Sequence, residues 1–67
     1  MQKRSLSLAG HKTSIALEPE FWAALEEMAA ERDIPLAALI RDIDERRESN
    51  NLSSAVRVEV LAWARQR

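Results

Sequence analysis

Apolar residues alternate with small polar ones through Arg4-Ser5-Leu6-Ser7-Leu8, and again through Thr13-Ser14-Ile15-Ala16-Leu17. Period-two alternation is the signature of a strand with one buried face. The only glycine, Gly10, lies between the two runs, and Gly-X suits the two-residue loop of a type II′ hairpin. With Gly10 and His11 as the turn, Leu8 faces Thr13, Leu6 faces Ile15 and Arg4 faces Leu17. Leu6, Leu8, Ile15 and Leu17 then share one face, and Ser5, Ser7, Lys12, Ser14 and Ala16 the other. Two readings of this segment stay open: a hairpin over about 4–17, or a flexible arm over 1–10 followed by a single strand over 12–17. No internal repeat is evident along the chain.

Beyond residue 18 the period changes. Glu18-Pro19-Glu20 starts a helix, since proline is favoured at the first helical position and acidic side chains suit the N-terminal end of the dipole. The helix is predicted over 19–32, with Phe21, Leu25, Met28 and Ala29 as its buried stripe and Trp22 on the flank. Pro35 cannot lie inside a continuing helix, so a second helix is predicted over 35–47, carrying Leu36, Leu39, Ile40 and Ile43 inward. Glu48-Ser49-Asn50-Asn51 is turn-like. A third helix is predicted over 53–65, with Ser53 and Ser54 as caps. Its apolar residues, Trp63 among them, cover more than one side, as contact with two surfaces would require.

A chain of 67 residues is one domain (1–67) and buries little apolar surface by itself. It has no cysteine and a single histidine, His11, so disulfides and metal ligation do not reinforce it. Oligomerisation is the remaining device, and a homodimer is expected. No stretch has the composition of a signal peptide or membrane span, which places the chain in the cytoplasm. The net charge of −1 hides an asymmetry. Residues 1–17 carry Lys3, Arg4 and Lys12 with no acid, whereas 18–67 carry seven basic and eleven acidic side chains. The acids Asp42, Asp44, Glu45 and Glu48 are interleaved with Arg41, Arg46 and Arg47, a pattern explained by ion pairs at helical spacing. There is no nucleophile–base–acid constellation and no glycine-rich phosphate loop, so no enzyme, cofactor or metal is expected. Trp22 and Trp63 read as core or interface anchors.

The stretch from Thr13 to Trp22, leading into Met28–Ile40, resembles the strand-to-helix junction and inter-helix turn of ribbon-helix-helix proteins such as Arc and MetJ. The segments at 9–15 (Ala-Gly-His-Lys-Thr-Ser-Ile) and 51–57 (Asn-Leu-Ser-Ser-Ala-Val-Arg) resemble short bacterial proteins with that domain. The resemblance implies a mainly α fold with a short N-terminal β-strand or hairpin, an additional C-terminal helix and an intertwined dimer. Its core and interface would comprise Ile15, Leu17, Phe21, Leu25, Met28, Leu36, Leu39, Ile40, Ile43 and Trp63. It also implies a DNA-binding transcriptional regulator that inserts an intersubunit β-ribbon into the major groove of double-stranded DNA. Lys12, Ser14 and Ala16 would point outward to the bases, Lys3 and Arg4 would contact phosphate, and the N–H groups of Leu36 and Ala37 would clamp a phosphate at a helix start. The alternative is a protein-interaction module of the same fold that does not bind DNA, with the C-terminal helix receiving the partner.

Overall fold

The computed structural model describes residues 1–67. Two antiparallel strands, β1 (Gln2–Leu8) and β2 (His11–Leu17), are followed by helices α1 (Pro19–Arg32), α2 (Leu36–Arg46) and α3 (Leu52–Arg65). The hairpin reading of the N-terminus therefore holds, and the helices begin and end within a residue of their predicted bounds.

The turn differs from the expected one. Leu8 pairs with His11, Leu6 with Thr13, Ser5 with Ser14, Arg4 with Ile15 and Gln2 with Leu17. Ala9 and Gly10 are thus the central turn residues, both with positive φ (52° and 84°). Positive φ at both positions is the requirement of a type I′ turn, whose twist matches that of the flanking strands; the type II′ turn on Gly10-His11 does not form, and His11 is the first residue of β2. The register is displaced by two residues from the predicted one. Because side chains alternate with period two, an even displacement leaves every residue on its predicted face. Leu8, Ile15 and Leu17 are buried, with Leu6 half-buried beside them.

Pro19 opens α1 at its first turn. The helix ends on Asp33, which has φ 56°. The Ile34 N–H donates to the Ala29 carbonyl and the Asp33 N–H to the Ala30 carbonyl, the two bonds of a Schellman cap. Pro35 stands as the N-cap of α2 rather than its first residue. α3 is capped by Asn51, whose side chain accepts from the Ser54 N–H at 3.1 Å; Ser53 and Ser54 lie inside the helix and do not cap it.

One core lies between the hairpin and the three helices. It is formed by Leu8, Ile15, Leu17, Trp22, Leu25, Met28, Ala29, Leu39, Ile40, Ile43, Val56 and Val60, with Phe21, Leu36 and Trp63 packed half-buried at its margin. The flanking role predicted for Trp22 falls instead to Phe21. Trp22 is 1% exposed and its Nε1–H donates to the Gln2 carbonyl at 2.9 Å. β1 lies over this side of α1 and draws the indole in.

The hairpin and the three helices enclose this core compactly. The chain's accessible surface is 4569 Å², and a folded monomer of its mass, 7.6 kDa, has about 4300 Å². The radius of gyration is 11.1 Å, against about 11 Å for a compact chain of this length. α3 supplies the closure, packing on α1, α2 and β2, while α2 packs on β1.

Candidate nucleic-acid interface

The outer face of the hairpin is built by register. Three cross-strand pairs point away from the helices: Lys3 with Ala16, Ser5 with Ser14, and Ser7 with Lys12. All but the half-buried Ala16 are exposed. The Ser5 and Ser14 hydroxyls lie 3.4 Å apart and share a hydrogen bond across the ribbon. Lys3 and Lys12 occupy diagonal corners of the patch. Four residues along a strand and one strand across put their backbones about 14 Å apart, on a scale with the ~12 Å width of the major groove. No carboxylate lies among these six residues, although the remainder of the chain is net acidic. Neither lysine takes part in an ion pair within the chain.

Arg4 is not on this face. It pairs with Ile15 on the inner side, its guanidinium lies 4.5 Å from the centre of the Trp22 ring, and its Nη1 donates to Glu26 Oε1 at 2.9 Å. Its long stem covers the indole while its charge is met by a helix α1 carboxylate. Lys3, Lys12, Ser14 and Ala16 are therefore brought together, joined by Ser5 and Ser7. The period-two alternation had placed both serines on this face, but the register now sets them beside Ser14 and Lys12.

Leu36 and Ala37 form the first turn of α2, which has neither a side-chain cap nor an acidic residue. Ala38 and Leu39 N–H groups donate back to the Pro35 carbonyl, which leaves the Leu36 and Ala37 N–H groups without intrahelical acceptors, as at any helix start. Pro35 and Ala37 line a groove with Ser7 and Ala9, so the helix start flanks the β1 edge of the ribbon. The same groove carries Asp42 and Glu45. Their charges are opposed by Arg32 and Arg46 at Asp42, and by Arg41 at Glu45.

The acidic run of α2 is thus bound up in ion pairs. Arg46 joins Asp42 to Glu59 of α3 (3.0 and 2.9 Å), and its pKa is raised, first by the hydrogen bond to Glu59 and then by that to Asp42. Arg47 pairs with Asp44 at 2.6 Å. Elsewhere on α3, Arg57 donates to Glu18 through Nε and Nη2. The Glu18 carboxyl is held below its ordinary value by its own backbone N–H and then by Arg57. Trp63 donates to Glu31 at 3.1 Å with Arg67 stacked at 4.5 Å over its ring, so it is an anchor between α3 and α1. These exposed pairs contribute little each, but they leave the lysines of the hairpin as the cations facing open solvent on one flat surface.

A second surface is apolar. Phe21 of α1 and Val58, Val60, Leu61 and Ala64 of α3 line a shallow depression bordered by Arg57, with Val58 63% and Leu61 56% exposed. No helix is long and apolar enough to cross a membrane.

Comparison with known protein families matches residues 1–64 to the ribbon-helix-helix domain. No curated protein and no solved structure matches the chain.

Proposed function

The chain belongs to the ribbon-helix-helix domain family, and from that premise we propose that it is a transcriptional regulator that binds double-stranded DNA through the outer face of its β1–β2 ribbon. The observation that carries this reading is the acid-free, two-stranded face with Lys3 and Lys12 at its diagonal corners on a chain of net negative charge. A two-stranded ribbon fits the major groove. Lys3 and Lys12 reach phosphates or guanine edges. Ser5, Ser7 and Ser14 offer hydroxyls that donate or accept, and Ala16 offers apolar contact to a thymine methyl. The Leu36 and Ala37 N–H groups supply a phosphate clamp beside the ribbon. Arg4, committed to Glu26 and Trp22, contributes by holding β1 in place.

The test is fluorescence anisotropy against duplex DNA at low and physiological salt. Binding is expected to weaken steeply with salt, and Lys12→Glu to abolish it. Absence of binding at low salt, or full affinity in the Lys12→Glu variant, overturns the assignment of this face.

The second reading, a protein-interaction module, is favoured by the apolar depression of Phe21, Val58, Leu61 and Ala64. A partner there, a second copy of the chain included, leaves the ribbon uncovered. Leu61→Glu would remove such a partner without touching DNA affinity.

A further inference from the structure

Three large apolar side chains stand open to solvent: Met1 at the terminus, and Val58 and Leu61 of α3. Val58 and Leu61 are neighbours on one helix face. The outward stripe of α3 runs Ser54, Val58, Leu61, Arg65, all exposed. Its spacings of four, three and four are those of a seam that follows a second helix. Ala62 and Ala64 flank the stripe, small enough to let another backbone come close. A depression lies on each side of it. One, toward α1, is lined by Phe21 and Ala64; the other, toward α2, by Ile43 and Ala55. Val58 borders both. Single exposed apolar residues are ordinary, whereas a contiguous apolar seam marks a contact surface.

Charge says what fits it. Arg46, Arg57 and Arg67 are met by carboxylates of their own chain. Neither Arg65 nor Glu48 takes part in an ion pair within the chain. Arg65 closes the stripe at the C-terminal end of α3. Glu48 precedes α3 and lines, with Ser54, the depression at the other end. Two unpaired opposite charges therefore stand at opposite ends of one apolar seam, and the face is complementary to itself.

The spacing makes that complementarity geometric. Val58 and Leu61 have the same midpoint as Ser54 and Arg65, between Glu59 and Val60. A half-turn about an axis through this point, perpendicular to the helix, lays α3 of a second copy antiparallel on the first. Val58 then meets the partner's Leu61, and Leu61 the partner's Val58. Arg65 falls opposite the partner's Ser54, at the depression that holds the partner's Glu48. A closed two-fold contact makes each of these pairings twice.

We propose that the outward face of α3 is an interface between two copies of the chain, packed antiparallel about a two-fold axis, with Arg65 of each paired to Glu48 of the other. This deepens the protein-interaction reading above by naming the partner, and it does not rest on DNA binding. It uses α3 and the segment before it, not the hairpin, so it is compatible with dimerisation through the ribbon.

The experiment is sedimentation velocity on the full chain, across about three decades of concentration around the micromolar range. The mass of the unmodified chain is expected to double as concentration rises. Leu61→Glu sets a carboxylate in the apolar seam twice over and should weaken this association at least about tenfold. Arg65→Glu should weaken it about fivefold through two exposed pairs, and adding Glu48→Arg to that variant should restore it. Leu61, Arg65 and Glu48 are all exposed, so circular dichroism should show each variant folded as the parent. A mass that does not rise with concentration, or rises equally in Leu61→Glu, overturns the proposal. A loss in Arg65→Glu that Glu48→Arg does not restore overturns the antiparallel pairing. A face that binds a different protein, with Leu61→Glu abolishing that binding and no self-association in the parent, overturns the self-pairing and keeps the protein-interaction reading.

Discussion

Replacing Ala9 by Asn is expected to stabilise the protein. Ala9 has φ 52° and is followed by Gly10 at φ 84°. An L-residue with a Cβ pays about 1–2 kcal/mol in the left-handed region, whereas Asn visits it readily through local hydrogen bonding. Asn-Gly is the favoured pair for a type I′ turn. Part of the strain remains with any side chain, so the net gain is about 0.5–1 kcal/mol. With an unfolding entropy near 2.1 cal/mol/K per residue, the 67 residues have a total of about 140 cal/mol/K, and the gain raises Tm by about 4–7 °C. Circular dichroism during thermal and urea unfolding reads this directly, and the urea m-value should not change. The companion His11→Asn should do nothing comparable, because His11 is an exposed strand residue opposite Leu8. A loss of stability in Ala9→Asn, or an equal gain from His11→Asn, would refute the register and with it the Ser5–Ser14 pairing.

Trp22→Ala should cost about 3–5 kcal/mol, comparable with the whole stability of about 3–10 kcal/mol expected for this length, while Phe21→Ala in urea unfolding should cost clearly less because the ring is half-buried. Asn51→Ala should lower stability by about 1 kcal/mol through loss of its bond to the Ser54 N–H, and Ser53→Ala should stay within about 0.5 kcal/mol. The Glu18 carboxyl titrates below its ordinary value of 4.5 when folded. Its contribution is therefore complete above the unfolded-state value and is lost as pH falls through the lower folded-state value. Denaturant midpoints followed down through the carboxylate range should consequently fall less for Glu18→Gln than for the parent chain.

Much of this arrangement is legible in the sequence because local signals fix it. Pro19 and Pro35 mark two helix starts to within a residue, and strict alternation assigns the faces of both strands in any register displaced by an even number of residues. The turn is not legible in the same way. Gly10 tolerates positive φ in either turn type, and only the strand pairing shows that Ala9 shares the strain. Trp22 and Phe21 sit on opposite flanks of one helical stripe centred near Leu25, and periodicity cannot rank them. The choice is made by β1, which brings the Gln2 carbonyl to the indole N–H and Arg4 over its ring. Arg4 itself reads as a free basic residue near a terminus until Glu26 is seen opposite it. The capping of α3 turns on whether the chain bends at Asn51 or two residues later, and both choices offer a good capping side chain.

Joining the ribbon through two residues changes how the molecule assembles in time. A strand that must find its mate on another chain does so at a rate set by concentration, and a fold that depends on that meeting loses stability on dilution. Here β1 and β2 meet across a two-residue turn, an event on the microsecond scale for a hairpin. The inner face of the hairpin is then ready before α3, the last element of the chain, arrives to cover it. The rate at which the ribbon forms should therefore be the same in dilute and in concentrated solution, as stopped-flow or temperature-jump refolding at two protein concentrations would read.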